Sequence, residues 1–60
     1  MIQITKNHNF PQYFHICVGG FFYDQVKGKA KALRIAKKLC KERKEENFLF
    51  EGFVMNKDEN

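Results

Sequence analysis

Serine and tryptophan are missing from this chain; threonine occurs once, at Thr5, and proline once, at Pro11. Cysteine is confined to Cys17 and Cys40. Two thiols are too few for a disulfide framework, which points to an intracellular, cytoplasmic protein with both thiols reduced. No apolar run is long enough for a signal peptide or a membrane span, so neither is expected. The stretch Lys27-Gly-Lys-Ala-Lys31 lacks both the spacing of a phosphate-binding loop and the Ser or Thr that would hold Mg²⁺, which argues against nucleotide hydrolysis. His8, His15, Cys17 and Cys40 are the candidate metal ligands, but their spacing fits no zinc finger or ribbon. No metal or other cofactor is therefore expected. His15 and Cys17 would share one face of a strand, yet a thiolate nucleophile also needs an orienting partner and an oxyanion donor, and the sequence offers neither. The expectation is a protein that is not an enzyme. Scarce Ser and Thr beside plentiful Lys, Asn, Phe and Ile is the usage of an AT-rich genome, such as that of a bacteriophage or low-GC bacterium.

What the chain does have is apolar mass and positive charge. Hydrophobic residues make up 43% of its 60 positions and aromatics 15%, seven of them Phe, which is enough for a packed core. Eleven Lys and Arg against seven Asp and Glu leave a net charge of +4, a balance that favours anionic partners. Sixty residues form one domain, here 1–60, with 1–11 an N-terminal strand and loop and 56–60 a frayed tail. A chain this short buries only about 60% of its unfolded surface, so association or another support is expected to help it.

The pattern predicts a small α+β fold of order ββαβ, with an antiparallel sheet and one amphipathic helix on one face. Ile2 and Ile4 alternate with polar neighbours and mark an additional short edge strand. Lys6–Pro11 is a loop, because Asn and Pro favour turns. Tyr13–Val18 and Phe21–Val26 are β-branched and aromatic, and Gly19-Gly20 between them supplies the two positive-φ positions of a tight hairpin. Gly28 is the N-cap of the helix, since no Ser, Thr, Asp or Asn lies nearer. Asn47 is its natural stop. Phe48–Met55 reads as one further strand, running parallel to the second hairpin strand and pairing antiparallel with the first.

A Gly19-Gly20 hairpin pairs Cys17 with Phe22 and Ile16 with Tyr23. One sheet face then carries Phe14, Ile16, Val18, Phe21 and Tyr23, and the other Tyr13, His15, Cys17, Phe22, Asp24 and Val26. The last strand divides likewise, with Phe48, Phe50 and Val54 on one side and Leu49, Glu51, Phe53 and Met55 on the other. Both faces are apolar and only one helix is available. Tyr13, Phe22, Leu49, Phe53 and Met55 are therefore the expected interface, covered in a homodimer or by the segment Met1–Phe10 folding over them.

The helix segment Lys29–Glu46 brings apolar residues to one face at Ala32, Leu33, Ile35, Ala36, Leu39 and Cys40. At about 100° per residue, Lys31, Arg34, Lys37, Lys38, Lys41 and Lys44 fall opposite, within an arc of roughly 140°. These six are the candidate contacts to nucleic-acid phosphates, without base specificity. Lys27, Gly28 and Lys29 at the helix start form a candidate anion site, where free N–H groups and the macrodipole favour negative charge. Pairs Lys38/Glu42 and Lys41/Glu45 would partly neutralise the basic face. The leading expectation is a basic accessory or regulatory protein that binds nucleic acid through this face. The alternative is a protein-binding module, such as a phage-type inhibitor, that docks an acidic surface of a host protein. No membrane partner is expected.

Overall fold

The computed structural model describes residues 1–58. Five strands and one helix follow one another as β1 (Ile2–Lys6), β2 (Tyr13–Val18), β3 (Phe21–Lys27), α1 (Lys29–Arg43), β4 (Asn47–Phe50) and β5 (Phe53–Asn56). The fold is α+β, with one mixed sheet in the order β3-β2-β1-β4-β5. Pairing is antiparallel except between β1 and β4, which run parallel with Gln3 opposite Leu49 and Ile4 opposite Phe50.

The expected edge strand is therefore the centre of the sheet. β1 inserts at the place assigned to the last strand, beside β2, and the last strand adds to β1 instead. Ile2 and Ile4, both fully buried, are the reason: they close the middle of the core under the helix. A short alternating pattern tells which side chains turn inward but not which neighbours flank the strand. With residues 2–6 inside the sheet, Met1–Phe10 does not fold over its second face.

The C-terminal strand is likewise a hairpin. Glu51 and Gly52 both take positive φ, 50° and 85°, as the central pair of a tight turn must. The chain reverses there, and Phe48 opposes Met55, Leu49 opposes Val54 and Phe50 opposes Phe53. This inverts the phase expected for a continuous strand. Met55 joins Phe48 and Phe50 on the helix side, where it packs against the core, and Phe53 follows by its pairing with Phe50. Val54 moves to the open side with Leu49.

The first hairpin turns at Gly19 and Gly20, at φ 60° and 86°, as expected. Its ladder then slips. Cys17 opposes Phe22, but Ile16 opposes Asp24, which leaves Tyr23 as the extra residue of a β-bulge. Below the bulge every β3 side chain changes face. Val26 sits opposite Phe14 in the core, 5% exposed, and Asp24 takes the helix side, while Gln25 and Lys27 join His15 and Tyr13 on the open side.

Helix α1 begins after Gly28, whose φ of 96° suits glycine and whose N–H donates to the Gln12 carbonyl at 2.8 Å. It ends earlier than Asn47. Lys44 adopts the left-handed conformation at φ 57° and its N–H reaches back to the Cys40 and Lys41 carbonyls. Ala32, Ala36, Leu39 and Cys40 are buried against the sheet, with Leu33 and Ile35 on the flanks. The alanines matter as much as the larger residues, since they let the helix lie close to Ile2, Ile4 and Ile16. The tail starts later than position 56. Asn56 ends β5, its Oδ1 accepts from the Asp58 N–H at 2.8 Å, and the Lys57 N–H donates to the Glu46 carbonyl at 3.0 Å. Residues 59 and 60 of that expected tail lie outside the described residues.

Candidate nucleic-acid interface

The basic face is a product of the apolar one. Burying Ala32, Ala36 and Leu39 fixes the helix about its axis, and Arg34, Lys38 and Lys41 then stand at its outer pole. All three are exposed, as is Lys31 on the flank nearer Ile35. Lys37 is half-buried on the other flank. Lys44 is still adjacent but belongs to the cap, so its side chain leaves the helical row. The structure thus brings five of the six candidates onto one helix, and Arg34, Lys38 and Lys41 form its ridge. From Arg34 to Lys41, two turns of α1, that ridge runs along about 10 Å.

Neutralisation of this ridge is weaker than the sequence spacing suggests. Among the described residues the ion pairs are the Met1 amino group with Glu45 and Lys57 Nζ with Glu46, each at 3.6 Å. The Lys38/Glu42 and Lys41/Glu45 pairs do not form within 4 Å. Because the helix stops at Arg43, Glu45 and Glu46 leave its surface and pair elsewhere. Only Glu42 remains as a helical carboxylate, and the last turn carries Lys41 and Arg43, which suit its negative end. The opposition of charge and macrodipole is confined to the first turn, which has no acidic residue and no side-chain cap.

The anion site expected at Lys27, Gly28 and Lys29 does not converge. Gly28 gives its N–H to Gln12. Lys29 Nζ lies 5.4 Å from the centroid of the Phe50 ring, a cation–π contact toward β4. Lys27 ends β3 on the open side of the sheet, opposite Tyr13. The residue that caps the helix also directs its two lysines apart.

The open sheet face differs from the expected interface. Tyr13, Phe22 and Leu49 lie on it by register, whereas Phe53 and Met55 belong to the helix side. At its middle is a polar network that composition did not reveal. His15 Nε2 and Gln25 Oε1 are 2.7 Å apart, Asn7 Nδ2 donates to the same oxygen at 3.3 Å, and the Phe22 ring stands edge-on to His15 at 5.8 Å. Only the bulge at Tyr23 brings Gln25 opposite His15, so no reading with a regular hairpin would find this group. Asn7 also holds the β1–β2 loop, its Oδ1 accepting the N–H groups of Asn9 and Phe10.

The two thiols lie in different layers of the fold. Cys40 is buried on the helix stripe, and burial pushes its thiol up, with Glu45 adding to the shift; its Sγ donates to the Asn47 carbonyl at 3.7 Å. Cys17 is half-buried on the open face. Among the described residues no group of three His, Cys, Asp or Glu side chains is arranged to hold a metal ion. No helix among them is long and apolar enough to cross a membrane.

One cleft is open beside the ridge. It has a volume of about 170 Å³ and is lined by Tyr23, Asp24, Ile35, Lys38, Leu39 and Glu42. The bulge makes it, because it places Tyr23 and Asp24 together at the edge of β3 facing the helix. No family model, curated protein or solved structure matches the chain.

Proposed function

We propose that the protein is a non-enzymatic nucleic-acid-binding accessory factor whose helix α1 lies against the phosphate backbone. One observation carries this: Arg34, Lys38 and Lys41 project from the outer pole of a helix whose inner side is locked, and none has an acidic partner among the described residues. A fixed row of cations loses little conformational freedom on meeting a row of phosphates, and its energy comes from releasing condensed counterions. Contacts of that kind position a protein without reading sequence.

The test is binding to labelled DNA and RNA as salt is varied. Three phosphate contacts give a slope of log affinity against log salt of about −2 to −3. The variant carrying Arg34→Glu, Lys38→Glu and Lys41→Glu is expected to fold normally, since all three sites are exposed, and to lose binding. Unchanged binding by this variant, or no binding by the wild type at low salt, would sink the proposal. The second reading is a protein partner with an acidic surface, whose carboxylates would meet the same ridge while the large exposed side chains Phe21, Phe22 and Phe53 supply apolar contact. Recovery of one protein from lysate, unaffected by nuclease and lost in the triple variant, would select it.

A further inference from the structure

We infer that the nucleic acid is single-stranded, with its phosphates on the α1 ridge and its bases stacked on Tyr23 and Phe21 along the edge of β3; this rests on the preceding proposal. The two aromatic side chains belong to β3, the edge strand beside which Lys38 stands. Tyr23 shares its cleft with Lys38, and Phe21, paired with Val18, lies on the helix side of the sheet one step nearer the hairpin turn. Both rings are open to solvent, Phe21 at 79% and Tyr23 at 50% exposure. Tyr23 is the bulged residue, so no β2 residue opposes it and its position at the edge is set by the backbone.

The charge pattern assigns each part of the strand its place. Asp24 and Glu42 line the cleft and repel phosphate there. Arg34, Lys38 and Lys41 attract it on the ridge above. A strand laid along the ridge keeps its backbone on the cations and turns its uncharged bases toward the carboxylates and rings. A duplex cannot do this. Its bases are already stacked and paired inside, so it would meet the ridge with phosphates and leave Phe21 and Tyr23 in water. Aromatic stacking accepts any base, since each has a π-face, and it combines with a cationic track wherever proteins hold single strands without sequence preference.

The absence of tryptophan supplies the probe. In a Tyr13→Phe background, Tyr23 is the sole tyrosine. Adding a fifteen-nucleotide oligo(dT) or oligo(U) is expected to quench its fluorescence, and the corresponding duplexes are expected to bind more weakly without quenching. Replacing Phe21 and Tyr23 by Ala should weaken oligo(dT) binding by about tenfold per ring while leaving the residual duplex affinity and the melting curve unchanged. Duplex bound as tightly as single strand, with Tyr23 unquenched, overturns the inference and leaves the ridge proposal standing. Failure to bind any nucleic acid overturns both. If sedimentation equilibrium shows a dimer that the Phe21→Ala, Tyr23→Ala variant cannot form, the rings are covered by a second copy and the inference fails. Should the double variant not fold, the quenching measurement on the otherwise intact chain decides alone.

Discussion

Two cysteines of the same sequence differ in burial, Cys17 half-buried and Cys40 buried, and the difference sets how readily each is reached. Cys40 is fully buried, its thiol held protonated by lack of solvent and by Glu45, and it serves the core as a small apolar group. A thiol-specific reagent at pH 8 is expected to modify Cys17 first and Cys40 only as fast as the protein unfolds; equal rates at both would contradict the burial. The shift also fixes a pH dependence. Folding raises the Cys40 value, so the folded chain keeps this proton at pH values where the unfolded chain releases it. The resulting stability is complete below the ordinary thiol value of about 8.5 and is lost as pH climbs through the raised one. Against Cys40→Ala, the wild type should therefore keep a constant stability difference below about pH 8 and lose ground above it, measured by urea unfolding. Lys44 is a second case in which one residue's conformation matters. It holds φ 57° with a side chain that disfavours that region, and Lys44→Gly is expected to stabilise the chain by about 0.5–1 kcal/mol.

At the level of elements, the hairpin at Gly19-Gly20, the helix and its inward face were all legible in the sequence, because each is written in local periodicity or in a turn that needs glycine. Three things were not. Ile2–Lys6 alternates like an edge strand but is the central one, and strand order is a property of the whole sheet. Glu51-Gly52 does not read as a turn because glutamate is an unusual partner for glycine at positive φ; its side chain is tied down, Oε1 accepting the Lys6 N–H at 2.9 Å. The bulge at Tyr23 has no signal in residue type at all, yet it decides which face Val26, Gln25 and Asp24 take. The basic ridge was visible and the cleft beside it was not, since the cleft depends on that bulge. These assignments have measurable consequences. Leu39→Ala, in the helix stripe, should cost about 2–5 kcal/mol. A domain of this length has only about 3–9 kcal/mol in total, so the variant is expected to melt far below the wild type or not to fold. Removing residues 1–6 takes out the middle of the sheet and should abolish cooperative unfolding in circular dichroism, whereas loss of an edge strand would leave it weakened but present.

Considered whole, the molecule is a thin slab, 32 × 25 × 17 Å, with one helix behind a five-stranded sheet and two dissimilar surfaces. The helix side is cationic and bordered by aromatic rings. The open side is a polar network around His15 with Tyr13, Phe22 and Leu49 about it. A partner that engages the ridge leaves the open face unoccupied, so salt should weaken binding at the ridge and have little effect on contacts at the other face. Measuring ridge binding and self-association over the same range of salt would separate the two surfaces. The parallel pairing of β1 with β4 has a further consequence, for the order of assembly. It joins Gln3 to Leu49, so the central strand must wait for almost the whole chain before its second neighbour exists. During synthesis β2 and β3 can already gather on one edge of β1, and α1 on its face, while the other edge stays bare. Contacts so distant along the chain are slow to form, and a bare central strand is a template for a neighbouring nascent chain. Substitutions in β4 and β5 should accordingly speed unfolding and leave the refolding rate almost unchanged, whereas those in the β2–β3 hairpin should slow refolding. Stopped-flow refolding of Phe48→Leu and Ile16→Val would show whether the chain closes in that sequence.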